Sequence, residues 1–165
     1  MLPVANHLRD HACGLEEEPE IDLFGRSAFN RFYYACYWEI RTNLPDMVKD
    51  WTKMGHKSLP ECLKASVLTD TTNTLEKLRR SKVISDADFG RLYPRITRSI
   101  AEIARLLEQG YSVRCTADYN PDFKATKTGS SLILDGIKLS TFESTYRDLA
   151  EQVGILKACR DELGL

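Results

Sequence analysis

Arg114 and Asp118 stand one helical turn apart in the stretch Arg114-Cys115-Thr116-Ala117-Asp118-Tyr119. At roughly 100° per residue, Ile96, Ile100, Ile103, Leu107 and Gly110 form one apolar face, and Arg114 falls at its centre. A guanidinium cannot shed its proton to escape burial, so it must be paired or must line a polar pocket. Two chemistries follow. Arg114 and Asp118 form an ion pair internal to the architecture, or Arg114 is a functional arginine in a cleft. Cys115 lies beside that cation, which lowers a thiol pKa, although a small core filler is the simpler role.

A second chemistry-bearing segment comes earlier. Seven of the fifteen aromatic residues lie between Phe24 and Trp38. On a helix, Phe29, Phe32, Tyr33, Cys36, Ile40 and Leu44 gather on one side, a core face. Ser27, Asn30, Arg31, Tyr34, Trp38 and Arg41 gather on the other. That side mixes donors, cations and large rings. It suits a protein interface, stacking on single-stranded nucleic acid, or a polar seam in which Arg31 and Tyr34 bond Asp118. On the later helix Arg91, Arg95, Arg98 and Arg105 form a stripe opposite the isoleucines, diluted by Glu102 and Glu108. Pairs such as Arg98–Glu102 on a solvated face explain it more simply than a phosphate track.

The elements that position these residues read as helices. Pro3 to about Cys13 forms a first helix, followed by the acidic stretch Glu16–Glu20, whose carboxylates suit the positive end of the next helix. The second helix runs from about Asp22 to Asn43, and residues 45–57 form a loop. Capping boxes at Ser58–Glu61, Asn73–Glu76 and Ser140–Glu143, with a weaker start at Ser85–Asp88, open further helices. The long helix from there to Asp118 is kinked near Pro94 and ended by Asn120-Pro121. Ile96 to Asp118 alone spans roughly 35 Å. Leu132 to Leu139 is a hairpin about an Asp135-Gly136 turn. The last helix carries Phe142, Tyr146, Leu149, Val153, Leu156 and Leu163, with Arg160 interrupting the stripe. The expectation is an all-α bundle of about five or six helices, with a short β-hairpin near 131–139. At 165 residues it forms one domain, with 1–20 as N-terminal helix and acidic linker and 121–139 as an insertion.

Composition narrows the rest. Net charge is −1, so no global field favours nucleic acid or membrane. Five scattered cysteines without a C-x-x-C fit a reducing cytosol rather than a disulfide scaffold or zinc ribbon. No apolar run approaches a membrane span, and the N-terminal residues lack the apolar core of a signal peptide. His7 and His11 stand one turn apart without a third ligand at helical spacing. No phosphate-binding glycine loop, nucleophile elbow or H-E-x-x-H is present, so no cofactor or metal is implied.

The two segments together resemble the HEPN superfamily, in the branch with S-x-x-x-Y-Y-A and R-x-x-A-D-Y patterns. The matching residues are Ser27, Asn30, Arg31, Tyr33, Tyr34 and Ala35, then Arg114, Ala117, Asp118 and Tyr119. Gly55-His56-Lys57-Ser58 is similar to the family's flanked histidine before the third helix. The resemblance covers about residues 20–160. It implies a compact helical bundle that often dimerises, with roles in RNA cleavage, toxin–antitoxin pairs, phage defence and CRISPR effectors; a module of this kind would dimerise or bind a partner protein such as a nucleotidyltransferase, and RNA. Catalytic members cut RNA without metal through R-x(four to six)-H: arginine stabilises phosphate charge and histidine moves protons. Here the histidines are His7, His11 and His56, and none follows Arg114. Asp118, Tyr119 and Asn120 stand where that histidine would be. A tyrosine titrates near 10, a poor base, and a carboxylate beside Arg114 is weakened as one. Three functions stay open. The first is a dimerising or partner-binding module. The second is a ribonuclease using Arg114 with Asp118, Tyr119 or His56. The third is a scaffold.

Overall fold

The computed structural model describes residues 1–164. Its architecture is an all-α bundle with one small antiparallel sheet. Helices α1 (Leu2–Gly14), α2 (Glu18–Asn43), α3 (Ser58–Cys62), α4 (Leu68–Arg80), α5 (Asp86–Tyr119) and α6 (Leu139–Leu163) appear in that order. The acidic stretch enters α2 directly, placing Glu18 and Glu20 in its first turn, where the amide ends of the helix favour carboxylates. Pro94 sits inside α5.

The capping residues sort differently from expectation. Ser85 is the working cap: its hydroxyl accepts the Asp88 amide at 3.0 Å and donates to the Asp88 carboxylate at 2.6 Å. Ser58 instead donates to the Gly55 carbonyl at 3.1 Å, since it already lies within the first turn. Asn73 starts nothing. α3 passes through a single π turn (Leu63–Val67) into α4, and Thr74 donates to the Asp70 carbonyl one turn back at 2.8 Å. α6 begins at Leu139, so Ser140 lies inside it, and Glu143 reaches Arg9 at 2.7 Å.

The chain forms two compact units. The first comprises Met1–Trp38 with Gln109–Asp148. The second comprises Glu39–Glu108 with the chain from Leu149 on. In the first, Phe29, Phe32, Tyr33 and Phe142 are buried together with Leu132 and Leu134 of the sheet. In the second, Leu59, Leu63, Leu75, Ile96, Ile100 and Leu156 are buried. Burial of such side chains contributes about 1.5–3 kcal/mol each.

The sheet belongs to the first unit. Strands β1 (Thr126–Thr128), β2 (Ser131–Leu134) and β3 (Ile137–Lys138) run in that order, with Thr128 opposite Ser131 and Leu134 opposite Ile137. The β2–β3 turn has Asp135 at φ 50° and Gly136 at φ 73°, the two left-handed residues of a tight hairpin. The β1 strand was not expected: Lys-Thr-Gly-Ser offers no apolar alternation, and Gly129 at φ 61° makes the second turn. Gly25 lets this segment approach α2, since a Cβ there would lie 2.8 Å from the Ala125 Cβ. Asp22 accepts the Ala125 amide at 2.7 Å.

Candidate functional site

The first unit brings the C-terminal end of α5 beside α2. Gly110 makes the approach close: a Cβ there would stand 3.2 Å from the Tyr33 ring. One turn on, Arg114 keeps 13% of its side chain exposed. Its Nε lies 2.7 Å from Asp118 Oδ2, with the N–H off the line to the oxygen, so the contact is a charge pair rather than a directed hydrogen bond. The Arg114 guanidinium also stands over the Tyr119 ring, 4.9 Å from its centre. Burial works against the charge of Arg114. The Tyr119 contact and the Asp118 carboxylate outweigh it and hold the guanidinium more firmly protonated than usual.

Asn30, not Arg31, supplies the α2 partner. Its Nδ2 donates to Asp118 Oδ1 at 2.6 Å, so both carboxylate oxygens are engaged. Arg31 lies over the Tyr34 ring at 5.6 Å. Tyr33 is buried between Tyr34 and Tyr111, whose ring centres lie 5.8 and 6.1 Å away. Burial pushes its hydroxyl well above the usual tyrosine range, and the charge of Arg114 opposes that shift.

The remaining candidates scatter. Ser27 donates its hydroxyl to the Leu23 carbonyl at 2.8 Å within α2. Trp38 is 41% exposed at the limit of the first unit. Arg41 and His56 belong to the second unit, His56 in the turn before α3, and both are half-buried. Of the tentative catalytic set, the first unit therefore assembles Arg114, Asp118 and Tyr119. On α1, His7 and His11 stack at 6.4 Å, and His11 packs edge-on against Phe24. Among the described residues no group of three His, Cys, Asp or Glu side chains is placed to hold a metal. The arginine stripe of α5 is partly used in pairing: Arg91 meets Asp88 and Glu162, and Arg105 rather than Arg98 takes Glu102 at 2.9 Å.

Arg26 is the residue that the sequence reading missed. It donates to the Thr116 carbonyl in the last turn of α5 at 3.5 Å, and to the Asn120 and Phe123 carbonyls just beyond it at 3.0 and 2.7 Å. The last carbonyls of a helix lack intrahelical donors, and a cation from a neighbour satisfies both their geometry and their partial charge. Asn-Pro announced the helix end, but nothing in the sequence announced which cation would meet it. Arg26, Ser27, Leu23 and Asp118 line an open groove of about 520 Å³.

Comparison with known proteins matches this chain to no family model, no curated protein and no solved structure. No helix among the described residues is long and apolar enough to cross a membrane.

Proposed function

We propose that the chain is a HEPN-like module of a prokaryotic defence or toxin–antitoxin system, which dimerises or binds a partner protein through the Asp118 groove, and takes RNA, where it does, as a ligand rather than a substrate. The observation that carries this reading is the closed Arg114–Asp118–Asn30 network. A base must accept a proton during reaction. Both carboxylate oxygens of Asp118 are already engaged, by Arg114 and by Asn30, and the network contains no imidazole. What the first unit does offer is apolar surface around a polar groove. Leu23 and Tyr119 are 62% and 70% exposed, and Phe123, whose own carbonyl Arg26 holds, is 39% exposed. Among the described residues, every large exposed apolar side chain apart from Val83 belongs to this unit. Apolar groups around polar anchors are what interfaces use.

The test compares wild type, Tyr119→Ala and Arg114→Lys, each checked for folding by circular dichroism. Oligomeric mass and co-purifying partners are measured, and each protein is incubated with total RNA in EDTA. A dimer or a specific complex that Tyr119→Ala disrupts, with intact RNA throughout, supports the module. RNA cut by wild type but not by Arg114→Lys replaces it with a metal-independent endoribonuclease. A monomer without partner or nuclease activity leaves a scaffold.

A further inference from the structure

The second unit contains a cavity of about 230 Å³ that has no part in the Arg114 network. Its wall is aliphatic: Val67, Leu75, Ile96 and Leu156 line it and are themselves buried. For scale, an apolar cavity of about 150 Å³ holds a benzene molecule. Its rim is charged. Lys49 and Asp70 stand on it and answer each other at 3.1 Å. Arg160 and Asp46 line both this cavity and the smaller one beside it. Among the described residues neither has an ion-pair or hydrogen-bond partner.

A half-buried guanidinium beside aliphatic walls is a ready receptor for an anion, and a carboxylate can meet it with two parallel hydrogen bonds. The wall sets the rest of the ligand, since an apolar body gains by filling it. Asp46 sets the charge. With Lys49 and Asp70 paired, Arg160 is the cation left on the rim for one carboxylate, and a second negative charge on the ligand would meet Asp46. The local backbone is also unusual. Val67 closes the single π turn, whose inserted residue re-aims the side chains that follow, and such turns recur at binding sites. We infer that this cavity binds a small monocarboxylate with an aliphatic body, the carboxylate on Arg160 and the body against Val67, Leu75, Ile96 and Leu156. The inference rests on the second unit alone, so it stands or falls separately from the reading of Arg114.

Octanoate is the probe, with octanol and octylamine as controls of the same body. Methyl-labelled full-length protein is titrated with each by NMR. Octanoate should shift the methyl signals of Val67, Leu75, Ile96 and Leu156 and bind roughly tenfold or more tightly than octanol, with octylamine weakest. Arg160→Leu should erase the preference for octanoate over octanol, and Arg160→Lys should keep part of it. No shift at millimolar octanoate overturns the inference. So does equal binding of octanoate and octylamine, or a shift map centred on other residues. The wild-type ligand series decides the question even where a variant folds poorly.

Discussion

Two arginines interrupt the apolar stripes of long helices in this chain, and their surroundings differ. Arg114 on α5 has Asp118 one turn onward, Asn30 fixing that carboxylate from α2, and Tyr119 against its plane. Arg160 on α6 has Leu156, Lys157, Leu163 and Gly164 at the positions one turn away, none of them acidic. The neighbouring Glu162 is taken by Arg91. One cation is answered from within the chain, and the other faces a cavity. A cation that the fold has already paired contributes to architecture and shape. One left at the mouth of an apolar cavity is available to a ligand. The contrast separates a surface proposed for recognition in the first unit from a cavity proposed for it in the second.

The sharpest way to break this contrast is Arg114→Ala. It leaves Asp118 with Asn30 alone and opens a space beside the Tyr119 ring. Loss of one partner from a fully buried pair costs roughly 3–5 kcal/mol. The residual exposure of 13% and 24% screens this one, so about 2 kcal/mol is expected in urea unfolding. A loss under about 0.5 kcal/mol would show that the pair is not structural.

Next comes alkaline pH. The Tyr33 hydroxyl has a folded pKa above its unfolded value of 10.0. The folded state therefore keeps the proton where the unfolded chain loses it. The contribution is fully present below about pH 10 and is lost as pH rises from there toward the folded value, at up to about 1.4 kcal/mol per pH unit. Urea midpoints measured on either side of pH 10 should fall with that slope, and Tyr33→Phe should flatten it. An unchanged slope in the variant would place the alkaline sensitivity elsewhere. Smaller still is Asn30→Ala, which removes a hydrogen bond to a carboxylate that keeps its ion pair. A loss of about 1 kcal/mol is expected. A double-mutant cycle with Asp118→Asn should return most of that loss as coupling between the two sites.

How much of this was legible beforehand depended on whether the cause was local. The apolar stripe Ile96–Ile100–Ile103–Leu107 placed Arg114 correctly, because helix periodicity alone decides which face a residue takes. Asp135-Gly136 announced its hairpin because the turn demands two positive φ angles. The β1 strand was invisible, since Thr126–Thr128 is held by pairing with β2, and Ala125 just before it by Asp22, rather than by its own pattern. Four cap-like sequences were present and Ser85 alone became the cap. Which one works depends on where the chain enters the helix, and tertiary packing settles that. The reading in which Arg31 bonds Asp118 missed Asn30 for a related reason. Adjacent residues on α2 point about 100° apart, and only the packing of α5 selects between them. Arg160 read merely as a break in a stripe, because its cavity is assembled from α4, α5 and the turn after α2.

The smallest expected effect bears most directly on the contrast. Arg160→Leu removes a cation that no described side chain pairs with and adds an aliphatic group beside Leu156 and Leu163. Nothing is orphaned, so the penalty that follows removal of Arg114 has no counterpart here. In ligand-free protein the change in unfolding free energy should lie within about 0.5 kcal/mol of zero or be slightly stabilising. In octanoate the sign reverses, because a ligand that binds the folded state stabilises it by RT ln(1 + [L]/Kd), and the variant forgoes most of that gain. Wild type should therefore be the less stable or equal protein without octanoate and the more stable one with it. A large loss in the absence of ligand would mean that Arg160 is held from within after all, and the distinction between the two arginines would disappear.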